Sequence, residues 1–317
     1  VSPALLHLQV TMVATLSELV ATLPTAQDEV LLESPGRLHR GLEDFTKELR
    51  DTLHCTDDTW RRHIVTSNDD DPVTSLSRAL AAYKSTSGTT WDDVTMVASE
   101  WQGSVAALVD GWARLARKAT KLRDTCRDLA TKAADMVATA RARELQEEVA
   151  RYGTALENMG ELGQALGGEE GAEGVARREA QVREEARVAA SEAIRATMVR
   201  QRVEVAMGLL EHLVATCDKA TAFPLELQHL LTDTETALVG TKKKFPDVPE
   251  ELVAKVAKAE QFWEANTRLA KDHLLGIMDD IILEFYSESG RARPSACEVA
   301  ERCQRAIKEI PNLLQGW

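Results

Sequence analysis

Seven histidines and five cysteines are the side chains from which this 317-residue chain would have to build a metal site or an activated nucleophile. The histidines do not pair at metal-ligand spacing, and Cys297 and Cys303 lie six apart with no histidine nearby. The spacings that zinc sites use are therefore not met. His54 stands beside Cys55, but the pair reads as helix surface next to helix core rather than as a nucleophile with its base. Asp69, Asp70 and Asp71 offer carboxylates for calcium, yet without the spacing of a known loop, and they read better as an acidic linker. The glycines between Gly160 and Gly174 lack the Lys-Ser/Thr pair of a phosphate-binding loop and follow no strand. The expectation is a protein that is not an enzyme and holds no cofactor and no metal.

What the chain does offer is patterned charge. Its formal net charge is −13, which argues against nucleic acid as a partner, since phosphate binding needs a dominant basic field. Local clusters depart from that balance. Trp112 to Arg151 carries ten Lys or Arg against six Asp or Glu, among them Arg114, Arg117, Lys118 and Lys121. Arg177 to Arg202 carries seven Arg against four Glu, among them Arg177, Arg178, Arg183 and Arg187. Lys242, Lys243 and Lys244 form a basic triplet before Pro246 and Pro249. Anionic lipid attracts each nearby Lys or Arg by about 1 kcal/mol within a Debye length, so clusters matter more than net charge. Helix-surface ion pairs account for the arginines equally well, because Arg183 has Glu179 four residues away and Glu184 and Glu185 beside it, and a solvated turn accounts for the lysines.

The elements that carry these charges are helices. From Val94 to Met136 an apolar or small residue recurs at alternating steps of four and three, through Trp101, Leu108, Trp112, Leu115 and Leu122. A repeat averaging three and a half residues keeps one stripe toward a partner only when helices wind around each other. The Ser, Thr and Gly of residues 84–90 favour a turn and an N-cap for the helix that opens at Trp91. Glycine density predicts a turn or kinked joint near Gly167 to Gly174. A second long helix follows from about Val175, with a kink expected at Pro224, then a third from about Pro249 and a last one ending near Pro311. Few segments alternate with period two, so the fold class is all-α.

Three long helices, the first two separated by a glycine-rich joint and the last two by a basic tip, resemble the BAR domain family, and endophilin-type members most closely. The likeness rests on the run from Thr241 to Asn266, with its lysine cluster, Pro-containing turn and acidic helix start, and on Leu145 to Gly167, with Tyr152, Gly153, Gly163, Ala165 and Leu166. The resemblance covers residues 91–317 and leaves 1–90 as an N-terminal helical extension without counterpart. It implies long kinked helices in an antiparallel coiled-coil three-helix unit that dimerises into an elongated, banana-shaped six-helix bundle. It also implies a homodimer that senses or shapes the curvature of anionic phospholipid membranes. Lys242, Lys243, Lys244, Arg177, Arg178, Arg183, Arg187, Arg114, Arg117, Lys118 and Lys121 would then meet lipid. Trp101, Leu108, Trp112, Leu115 and Leu122 would form the dimerisation seam. Two features depart from the family pattern: the acidic balance and the extra N-terminal helices. These favour the rival, a non-membrane helical-bundle adaptor of the vinculin or talin kind, or a structural part of a cytoskeletal assembly.

The opening helix, with Leu5, Leu8, Met12, Leu16, Leu19 and Leu23 on one face, has no Lys or Arg before Arg37. That favours packing against the protein over lying in a lipid interface. No apolar run is expected to span a membrane, and the N-terminus lacks the basic region of a signal peptide. Five thinly spread cysteines suit a reduced compartment. The expectation is a cytoplasmic, peripherally membrane-associated protein, with residues 1–90 available to protein partners. Trp60 and Trp317 are the tryptophans expected to be exposed contacts.

Overall fold

The computed structural model describes residues 4–63, 75–84, 90–138, 144–151, 153, 154, 158, 169–240, 250–286 and 295–315. Among them the regular elements are helical and the protein is all-α. In chain order they are α1 (Ala4–Thr22), α2 (Ala26–Leu31), α3 (Arg37–His63), α4 (Leu76–Lys84), α5 (Trp91–Ala138), α6 (Glu169–Gly240), α7 (Glu250–Leu269), α8 (Leu275–Tyr286) and α9 (Ala296–Leu313). A five-residue π turn, Ala270–Leu274, joins α7 to α8 without a break, and residues 144–151 are also helical. Helix starts are fixed by side chains as the sequence predicts. Thr90 accepts from the Asp93 amide while the Asp93 carboxylate accepts from the Thr90 amide and hydroxyl, a capping box for α5. Ser295 and Glu298 form another for α9.

The chain divides into two compact units. The first comprises Val1–Ala21, Leu38–Arg123 and Gly208–Trp317, the second Thr22–Arg37 and Asp124–Met207. The first unit takes in helices from both sides of residue 90.

In the first unit the α5 seam is fully covered: Val94, Ala98, Trp101, Val105, Leu108, Trp112, Leu115, Ala119 and Leu122 are each at most 2% exposed. Helix α3 carries a matching stripe, Leu38, Leu42, Phe45, Leu49 and Leu53, just as deeply buried. The two helices run antiparallel, since Gly41 lies against Leu122 and Gly111 against Thr52. A Cβ at Gly41 would stand 2.8 Å from Leu122 Cδ2, so glycine lets the backbones approach there. Glu48 locks the register by accepting from Arg114 Nε at 2.8 Å and pairing with Lys118 Nζ at 2.9 Å, and Lys118 also donates to the Asp44 carbonyl. Aromatic side chains then join the long helices. Trp101 of α5 meets Trp263 of α7 edge to face at 5.6 Å, and Phe223 of α6 meets Phe262 of α7 at 4.5 Å. Helix α4 packs on α7, and α9 on α7 and the π turn. Buried Glu260 of α7 caps α4 from outside, accepting from the Ser77 amide and from the hydroxyls of Ser75 and Ser77.

In the second unit the seam continues through Cys126, Leu129 and Ala133, all buried. Cys126 Sγ donates to the Val203 carbonyl of α6 at 3.6 Å, and Ala196, Val199, Val203 and Ala206 form the buried face of α6. Farther along, Leu145, Val182 and Ala186 make a small separate core with Val149 and Ala189.

Two expectations change. Helix α1 is in fact long and apolar enough to cross a membrane, at 19 residues with mean hydropathy 1.5, although 56% of that window is buried inside the protein. Its Leu5, Met12, Leu16 and Leu19 point into the core. Helix α6 begins at Glu169, so Gly171 and Gly174 lie within it rather than in a turn. Gly174 has open space beside its Cα, so no packing is forfeited there. Asp69 to Asp71, Tyr152, Gly160, Gly163, Ala165, Leu166, Gly167, Lys242 to Lys244, the Trp60 side chain and Trp317 lie outside the described residues.

Candidate interaction surface on the longest helix

Helix α6 is apolar on two sides within the second unit. Its buried face packs in the core through Ala196, Val199 and Val203. Its other face carries Val188, Ile194, Met198 and Val205, exposed by 46, 63, 54 and 56%. With Ser191 and Gln201 between them, these residues follow the three-and-four spacing of one helix face. Lone surface hydrophobes need no explanation, but a row at helical spacing is the form in which a helix presents itself to another.

The arginines beside this row are held within the chain. Arg187 donates to both carboxylate oxygens of Glu184, at 2.9 and 2.6 Å, and Arg200 to Glu204 at 2.8 Å. Arg195 and Arg202 both reach Asp28, at 3.3 and 3.4 Å. Asp28 belongs to α2, whose start it fixes by accepting from the Thr25 amide and hydroxyl. Burial works against ionising Asp28, but the bonds from Thr25 and Arg195 outweigh it, and its carboxyl stays below the ordinary value.

Asp28 is one end of a strap over the second unit. After α2 the chain turns sharply with positive φ at Glu33 and Gly36. Lys132 of α5 grips this turn, its ammonium donating to the carbonyls of Leu32 and Glu33 and to Ser34 Oγ at 3.2, 3.3 and 2.9 Å. Two charged side chains, Asp28 toward α6 and Lys132 toward α5, thus fasten residues 25–36 to both helices.

Among the described residues, the cations singled out in the sequence divide between the units, Arg114, Arg117, Lys118 and Lys121 in the first and Arg177, Arg178, Arg183 and Arg187 in the second. Arg114 and Lys118 hold Glu48, whose carboxyl is penalised by burial yet lowered overall by those two partners. Arg117 and Lys121 are exposed on α5. On α6, Arg177, Arg178, Arg183 and Arg187 are exposed, with Arg178 donating to Gln181. Trp101, Leu108, Trp112, Leu115 and Leu122, read as a dimerisation seam, are each at most 2% exposed within the single chain. The signal that identifies their cover is the α3 stripe from Leu38 to Leu53, which has the same three-and-four spacing. The thiols of Cys126 and Cys217 are pushed up to about 12 by burial, and that of Cys303 to about 11, so these three are packing residues rather than nucleophiles at neutral pH. No family model, no curated protein and no solved structure matches this chain.

Proposed function

We propose that this protein is a non-membrane helical-bundle scaffold that binds a helical partner along the outer face of α6. The observation that carries the reading is the exposed row Val188, Ile194, Met198 and Val205 on a helix whose opposite face is already packed. Such a row gains free energy only when another apolar surface covers it, at about 25 cal/mol per Å2 removed from water. The engagement of Arg114, Lys118, Arg187, Arg195 and Arg202 with acids of the same chain supports the same reading, because a cation already paired has less to gain from lipid phosphate.

A second reading is favoured by the arginines that flank the row. Apolar side chains between arginines also suit an anionic membrane surface, with Lys242, Lys243 and Lys244 as added contacts. Pelleting with phosphatidylserine vesicles at low and at physiological salt separates the two. The scaffold reading expects the protein to stay in the supernatant at both. Binding that weakens with salt, and weakens again when all three lysines are changed to Glu, would replace it with the membrane reading.

A further inference from the structure

We infer that the outer face of α6 is occupied by a second copy of this chain, laid antiparallel across it with the two-fold axis passing beside Ala196. This names the partner of the surface proposed above and rests on that reading. The inference comes from the order of residues along the face. Ile194 and Met198 lie two residues either side of Ala196, Ser191 and Gln201 five either side, and Val188 and Val205 eight and nine either side. A two-fold axis at that point sets Ile194 against Met198 of the second copy and Ser191 against Gln201, with Val188 and Val205 one residue out of exact register at the two ends. The two inner layers pair like with like, apolar with apolar and polar with polar, as a self-complementary interface requires. Ala196 itself is buried on the opposite face, so the axis meets the helix where its own core is already closed.

Charge does not oppose this arrangement. Arg195 lies closest to the axis and would face its counterpart, but each Arg195 is bound to Asp28 of its own chain, as Arg202 is. Arg187 is bound to Glu184. The face therefore arrives with its arginines paired, and little uncompensated charge has to be desolvated. Residues 188–205 rise roughly 26 Å along the helix, and four exposed side chains cover roughly half of the 800 Å2 per partner that a standard interface buries. The association is therefore weak and reversible.

The test uses the full chain in sedimentation velocity from about 1 to 100 µM. Wild type is expected to shift from monomer toward dimer across that range. I194E/M198E is expected to weaken the association at least tenfold with its helical circular dichroism unchanged. Register is read by cysteine cross-linking in a background where Cys55 and Cys297 are Ser. I194C/M198C should give a covalent dimer under mild oxidation and M198C alone should not. A strictly monomeric wild type, a dimer unaffected by I194E/M198E, or efficient cross-linking of M198C alone would each overturn the inference. A monomer that does not bind phosphatidylserine vesicles would remove only this occupant, whereas a monomer that binds them through the row would also remove the scaffold reading.

Discussion

Asp28 is an acid placed where its ionised form holds three things at once: the first turn of α2, Arg195 and Arg202. Its carboxyl sits below the ordinary 3.8, and Glu48 likewise sits below 4.5. A group lowered on folding adds stability that is fully present above its unfolded pKa and is lost as pH falls through its folded pKa. Asp28→Asn should therefore cost about 1–2 kcal/mol at pH 7, and the gap from wild type should shrink toward pH 3. Urea midpoints for both proteins at the two pH values check this, and a gap that is unchanged at pH 3 would show that the charge is not what matters. Gln9 poses the opposite case. Its amide is fully buried in α1, and neither its Nε2 nor its Oε1 has a hydrogen-bond partner among the described residues. An unpaired buried amide costs more than an apolar group of similar volume, so Gln9→Leu should raise stability by about 1–2 kcal/mol. A lower urea midpoint for that variant would refute the assignment.

At the scale of elements, the α3–α5 pair holds the first unit together. Its stripes interlock over Leu38 to Leu53 and Leu108 to Leu122, and Glu48 sets the register. Leu115→Ala should cost about 2–5 kcal/mol through the cavity it leaves. Leu108→Asp with Leu115→Asp should prevent folding altogether, seen as loss of cooperative thermal unfolding by circular dichroism. Retained cooperativity in the double Asp variant would contradict the packing. Much of this was legible in the residues: the seam, its start at Trp91 and the N-cap that precedes it follow from spacing and side-chain chemistry alone. What covers the seam was not. An apolar stripe specifies that it will be buried and at what period, but not whether the complementary stripe belongs to the same chain, and here Leu38, Leu42, Phe45, Leu49 and Leu53 supply it. The glycines of early α6 misled for a related reason. Their cost in a helix interior is only about 1 kcal/mol each, small against the packing of a helix that continues through Val182 and Ala186 into the core. The π turn at Ala270–Leu274 left no mark in the sequence pattern, since one extra residue per turn shifts the apolar phase no more than an ordinary irregularity. The outer row on α6 was present in the sequence but was masked by the arginines around it.

For the whole molecule, the proposed reading changes where association resides. The long seam that reads as a dimer interface is closed within one chain, and what remains for a partner is the shorter row on α6. A seam shared between chains would give a tight, obligate dimer that no surface change on α6 could separate. A row of four exposed side chains would give a weak one that two glutamates loosen at least tenfold. The most direct measurement is the sedimentation-equilibrium mass of I194E/M198E at about 100 µM. A mass near 34.9 kDa is the expected result, that of a single chain with its seam closed. A mass of twice that value would contradict it and return the α5 seam to the interface between chains.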